Sequence, residues 1–181
     1  ILNIATPENG TIRNSMLPTL LTFAYENKQY APYYGLFEIG RVVEGVTEKG
    51  EANERQHLGI TLFDKTCSEK ELYFKAVEIV RYIADQLRHT EPKFTRIAPN
   101  HACQHPKNTS EISVNGQKVG VLCTLQPSNL KKIDKNAAVV CIEIDMADFE
   151  SSKATALKFD EPSRFPGVDY DLSLVTNGKK Y

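Results

Sequence analysis

Leu36-Phe-Glu-Ile-Gly-Arg-Val-Val-Glu44 and Gln56-His-Leu-Gly-Ile-Thr-Leu-Phe63 are two runs rich in β-branched and aromatic residues, separated by the polar stretch 45–54. Such runs favour extended backbone, and a polar connection of this length predicts a long antiparallel hairpin over 36–63. Gly40, inside the first run, is expected to mark a β-bulge. Working outward, Ser68-Glu-Lys-Glu71 is a capping box, followed at helical spacing by Leu72, Ala76, Ile79, Ile83 and Leu87. A helix over 69–88 follows, stopped before Pro92, with Leu72, Ile79 and Ile83 expected against a sheet. Upstream, Asn14 or Ser15 can cap a helix over 15–28 in which Pro18 occupies the first turn and Leu17, Leu20, Leu21 and Ala24 form one apolar face. Downstream, Asn115-Gly116 favours positive φ and a two-residue hairpin turn. Ala138-Val-Val-Cys-Ile-Glu-Ile-Asp145 reads as a buried strand, and Val168, Tyr170, Leu172 and Leu174 alternate in a last strand after the rigid connector 162–167. Hairpins dominate and no βαβ alternation appears. The class is α+β, an antiparallel sheet flanked by helices.

The 181 residues are 41% hydrophobic and 25% charged, which is globular composition. A chain this long buries roughly 70% of its unfolded surface and folds without staples. The net charge of -1 gives no global attraction to nucleic acid or anionic lipid, so any RNA contact would be local. No apolar run approaches the ~18 residues of a membrane span. Cys67, Cys103, Cys123 and Cys141 form no CxxC pair, which argues against a zinc knuckle or disulfide framework. Cytoplasmic localisation is expected, without a membrane partner. The opening Ile1-Leu-Asn3, without Met, suggests a piece of a longer protein.

Nucleotide-binding, zinc-hydrolase and serine-hydrolase signatures are absent. His101-Ala-Cys103-Gln-His105 would point three ligands to one face of a strand. That metal site is set aside, because Pro99-Asn100 and Pro106-Lys-Asn108 predict a loop and no fourth ligand is evident. Arg13 precedes a helix N-terminus, where an anion could bind, but a solvent-exposed or salt-bridged arginine is the plainer reading. Arg41 and Arg55 read as surface charges, and Lys131-Lys132 and Lys179-Lys180 are too short for a nucleic-acid patch.

The order of segments carries a resemblance. Asn3-Ile-Ala-Thr-Pro-Glu-Asn-Gly-Thr-Ile-Arg13-Asn-Ser15-Met-Leu17-Pro18, then Leu36-Phe37-Glu38-Ile-Gly40-Arg41-Val-Val, then Ser163-Arg-Phe165-Pro166-Gly-Val-Asp-Tyr-Asp171-Leu-Ser-Leu-Val resembles the phenylalanyl-tRNA synthetase beta subunit family. His105-Pro106, Gln126-Pro127 and Glu143-Ile-Asp145 continue the likeness. The family's H-P-G-R-S-A, G-E-L-H-P and R-D-L are here His105-Pro-Lys-Asn-Thr-Ser110, Cys123-Thr-Leu-Gln-Pro127 and Tyr170-Asp-Leu172. An arginine, a Glu with a His, and a second arginine are thereby lost.

The resemblance implies a partial class II synthetase-like module over 1–160. It also implies a linker and the first strand of a ferredoxin-like anticodon-binding domain over 161–181. It implies a non-catalytic copy, partnered by an alpha subunit that performs the chemistry, and a role in (αβ)2 assembly and placement of tRNA(Phe). ATP and Mg2+ would serve the holoenzyme, with no cofactor, catalytic residue or metal in this piece. Class II chemistry holds ATP phosphates with arginines on its motif 2 hairpin and motif 3. After Arg41 no Arg-x-Glu follows, and the motif 3 region is the acidic strand 138–145. A second reading is a diverged stand-alone paralog serving as an RNA- or protein-interaction module. A third is a metal-dependent enzyme using His101, Cys103 and His105.

Overall fold

The computed structural model describes residues 11–157, 161, 167 and 169–173. Among the described residues six antiparallel strands, Tyr33–Val46 (β1), Ala52–Asp64 (β2), Lys93–Arg96 (β3), Gln104–Val114 (β4), Gln117–Leu125 (β5) and Ala138–Asp145 (β6), lie in the order β1-β2-β6-β5-β4-β3. Helices α1 (Leu17–Asn27), α2 (Glu69–Arg88), α3 (Pro127–Ile133) and α4 (Met146–Ser151) complete the described residues. The α+β sheet-and-helix architecture is the one the sequence predicts.

The 36–63 hairpin forms in continuous register, Phe37 opposite Ile60 and Arg41 opposite Gln56. No bulge occurs at Gly40. The register shifts between Val43 and Val46, where Gly45 takes a φ of 146°. Gly40 is needed for a different reason. A side chain there would collide with the Arg13 guanidinium and lie 3.1 Å from Met16 Cε. The glycine clears a lane along which the chain before α1 crosses β1.

Ser68 and Glu71 cap α2 reciprocally, and His89 ends it in the left-handed conformation. Its buried stripe is Leu72, Ala76, Val77, Val80 and Ala84; Ile79 and Ile83 are only half-buried at its margins, and Leu87 is exposed. The predicted face is therefore rotated. Alanines at 76 and 84 let the helix backbone approach the sheet, which places the small residues at the centre of contact and the larger isoleucines at its edge.

Helix α1 starts at Leu17 with Met16 as N-cap and makes no side-chain cap bond there. Ser15 instead accepts the Leu17 N–H at 3.1 Å. Asn115 and Gly116 both have positive φ (49° and 85°), as the β4–β5 turn requires. Residues 104–108 belong to β4 and not to a loop. Strand β3 has four mostly exposed residues and no alternation to reveal it. Residues 169–173 form no strand, and Tyr170 and Leu172 are 89% and 82% exposed. Val168, Leu174 and the connector residues 162–166 lie outside the described residues.

Every residue of β6 is buried, so both faces of the sheet are covered there. Val140, Ile142 and Ile144 pack beneath α2 with Leu122, Ile112 and Ile60. Val139 and Cys141 face the other way, into a cluster with Leu17, Phe63, Cys123 and Leu125. Beyond Cys141 on that second face come Glu143 and Asp145, and these position the site.

Candidate functional site

Two carboxylates on one face of a buried strand must find donors, because an unpaired buried charge costs several kcal/mol. Glu143 finds three. Ser15 Oγ donates to its Oε2 at 2.6 Å, the Met16 N–H donates to Oε1 at 2.8 Å, and His57 Nδ1 lies 2.8 Å from Oε1. The register makes this possible: Asp145 is directly opposite His57, and Glu143 is opposite Gly59. A Cβ at Gly59 would lie 2.7 Å from Met16 Cβ and from Leu20 Cδ1. The glycine lets the start of α1 settle onto the sheet, so that the Met16 N–H reaches Glu143.

Asp145 caps α4 by accepting the Asp148 N–H at 3.0 Å with Oδ1. Its Oδ2 accepts Arg55 Nε at 2.7 Å, and Arg55 also meets Asp148 at 3.0 Å. Arg55, expected at the surface, is thus an internal counter-ion. Burial would raise the Glu143 pKa, but the His57, Ser15 and Met16 hydrogen bonds outweigh it and hold the carboxyl below its ordinary value. Burial likewise opposes ionisation of Asp145, and Arg55 reverses the balance. Burial would lower the His57 pKa; the hydrogen bond and charge of Glu143, then the charges of Asp145 and Glu44, raise it.

His57 Nε2 is buried and makes no hydrogen bond. It sits 3.4 Å from Asp145 Oδ2 and 3.6 Å from Glu44 Oε1. The group borders a cleft of about 210 Å³ lined by Asn14, Asn100, His101, Lys118 and the acids Glu44, Glu143, Asp145 and Asp148. Lys118 is itself paired with Glu111 at 3.2 Å.

The sequence-derived candidates distribute differently. Arg13 is salt-bridged: its Nη2 meets Glu38 Oε1 at 2.7 Å, its Nη1 meets Oε2 at 3.3 Å, and its Nε donates to the Arg41 carbonyl at 3.0 Å. Arg13, Glu38, Gly40 and Arg41 therefore form one structural clasp. The Arg41 side chain is 80% exposed and pairs with Glu54. Phe37 is exposed, Leu17 is buried, and Pro18 occupies the first turn of α1. Asp171 is exposed outside any element, and Phe165 and Pro166 lie outside the described residues.

His101, Cys103 and His105 do not converge. Among the described residues, the group whose ligand atoms lie within 4.8 Å of one another is Glu44, His57 and Asp145. His105 Nδ1 accepts the Lys107 N–H at 3.0 Å, and burial pushes the Cys103 thiol up to about 11. The sequence did carry a signal for the true cluster: Glu143 and Asp145 alternate on one face of an otherwise apolar strand. What it lacked was the identity of their partners.

Fold and cleft together define an α+β domain in which helices cover an antiparallel sheet, and the buried centre is an acid-rich network tied to the approach of α1. Residues 1–146 match the family described as the phenylalanyl tRNA synthetase beta chain CLM domain, and the chain belongs to that family. It is similar to the phenylalanine–tRNA ligase beta subunit of Staphylococcus saprophyticus, at 30% identity over 177 residues, covering 93% of this chain and 22% of the relative. The beta subunit of Sulfurisphaera tokodaii is 30% identical over 149 residues, 80% of this chain and 26% of that protein. For Solibacter usitatus the figures are 25% over 175 residues, 97% and 21%. The chain thus spans about a fifth to a quarter of the length of these relatives.

Proposed function

We propose that this chain is a non-catalytic, class II synthetase-like module of a cytoplasmic phenylalanine–tRNA ligase beta subunit, supporting assembly with an alpha subunit and placement of tRNA(Phe). The observation that carries the non-catalytic reading is the charge of the cleft. Four carboxylates line it, and the cations around it are committed to carboxylates: Lys118 to Glu111, Arg55 to Asp145 and Asp148, Arg13 to Glu38. Such a surface offers a triphosphate no free arginine or lysine. The residues present do not fit ATP. ATP and Mg2+ would act in the holoenzyme, at the alpha subunit.

Support for assembly comes from the sheet's edge. Tyr33, Phe37 and Ile39 are exposed along β1, on the side where Ile60 and Leu58 of β2 pack against the α2 core. The helix stops short of β1, and an apolar stripe of this kind on an edge strand suits a protein partner. The test is phenylalanine-dependent pyrophosphate exchange with the chain alone and with an alpha subunit added. No exchange alone, and tRNA charging by the complex that is lost with Phe37→Asp, is the expected outcome. Exchange by the isolated chain that Arg41→Ala removes would overturn the non-catalytic reading. RNA or protein binding without any support of charging would favour the diverged paralog.

A further inference from the structure

We propose that His57 Nε2, Asp145 and Glu44 form a binding site for a divalent transition metal of the zinc class, with its open side on the acidic cleft. The argument begins at the other end of the imidazole. Glu143 accepts hydrogen bonds from Ser15 Oγ and the Met16 N–H. It is therefore an acceptor towards His57 as well, and fixes the ring's proton on Nδ1. Nε2 is left pointing its remaining position at two carboxylate oxygens. With Nε2 unprotonated, its lone pair would face negative charge on both sides, so the arrangement favours a cation at that point, which a proton or a metal can supply.

The residue is more than nine-tenths buried, and Nε2 has no hydrogen-bond partner to occupy it. A carboxylate holding one ring nitrogen of a histidine while the other faces a ligand position is the usual outer support of a histidine–metal bond. The spacing is compatible with a tetrahedral metal, the three ligand atoms lying within 4.8 Å of one another. Ligands about 2.1 Å from zinc stand about 3.4 Å apart along the edges of a tetrahedron, against about 3.0 Å in an octahedron. Nε2 lies 3.4 Å from Asp145 Oδ2 and 3.6 Å from Glu44 Oε1. An imidazole donor further disfavours magnesium or calcium, which prefer oxygen alone.

Arg55 already occupies one lone-pair direction of Asp145 Oδ2, leaving the other for the metal, and its second contact, Asp148, keeps it neutralised. The three residues also line the cleft, from which water can supply a fourth ligand. A metal bound there would join β1, β2 and β6, to which Glu44, His57 and Asp145 belong. This inference does not depend on the synthetase reading. It concerns a metal held by this chain, not one delivered with nucleotide.

The experiment is zinc titration of the complete, metal-stripped chain by calorimetry and thermal denaturation, with cobalt as the spectroscopic probe. One zinc per chain, a rise in melting temperature, and a cobalt spectrum with visible d–d bands but without a thiolate charge-transfer band are expected. Glu44→Gln, at a half-exposed side chain that meets His57, should fold normally and weaken binding at least about tenfold; His57→Asn should weaken it at least as much. Three outcomes overturn the site. These are no saturable zinc binding, binding indifferent to Glu44→Gln, or a sulfur charge-transfer band showing that the cysteines hold the metal. The first would mean that only a proton occupies the position beside Nε2.

Discussion

On one face of β6, Val140, Ile142 and Ile144 meet α2 through aliphatic contact; on the other, the same strand runs from Val139 and Cys141 into Glu143 and Asp145. Both faces are buried, yet they are held by different physics. Contact beneath α2 is non-directional, so several residue choices of similar volume would satisfy it. The polar face is directional: each oxygen of Glu143 has a specific donor, supplied from the approach to α1 or from β2. The apolar face supplies much of the hydrophobic stabilisation, and the polar face fixes where α1 sits. Tolerance on one side and specificity on the other is the lesson of the comparison.

The largest effect should come from breaking the polar face. Glu143→Ala would leave the His57 Nδ1–H, the Ser15 hydroxyl and the Met16 N–H without their acceptor, at a cost of about 3–5 kcal/mol in urea unfolding. A loss below 1 kcal/mol would show that water substitutes for the carboxylate and that the network is not an anchor.

Next is Asp64, a carboxylate buried at the opposite end of β2, accepting from the Thr66 N–H and hydroxyl and from Lys75 of α2. Burial opposes its ionisation, but the Thr66 bonds, then the Cys67 thiol and Lys75, prevail and lower its pKa. A carboxyl depressed on folding contributes stability that is complete above its unfolded pKa of about 4, and is lost as pH falls through the folded value. Asp64→Asn should therefore cost about 1.5–3 kcal/mol at neutral pH and flatten the loss of stability below pH about 4. Some acid sensitivity should remain from Glu143 and Asp145, whose pKa values are also lowered. Parallel pH profiles for mutant and parent would refute the assignment.

A single methylene tests the aliphatic face. Ile142→Val should cost about 0.5–1.5 kcal/mol, well below Glu143→Ala at the next residue, on the opposite face of the strand. If the two losses were equal, the division between a tolerant and a specific face would fail. The smallest effect is expected outside both faces. Arg41→Ala removes an exposed ion pair with Glu54 and should change the unfolding midpoint by less than about 0.5 kcal/mol.

The sequence alone determined the elements whose causes are local. The 36–63 hairpin, the Ser68–Glu71 capping box, the Asn115-Gly116 turn and the buried strand 138–145 are each written in a contiguous stretch of sequence, and all four form. Where the expectation failed, a neighbour distant in sequence was responsible. Gly40 makes room for Arg13 instead of bulging, and the buried face of α2 centres on alanines because the sheet, not the helix, sets how closely the two approach. The charged centre was legible only as two acids on an apolar strand. Ser15 and Glu143 are 128 residues apart, and His57 and Glu143 are 86 apart. Their meeting is set by strand order and register, which no local propensity encodes. Which acid takes which donor, and that His57 Nε2 is left facing Asp145 and Glu44, was therefore decided by the tertiary structure.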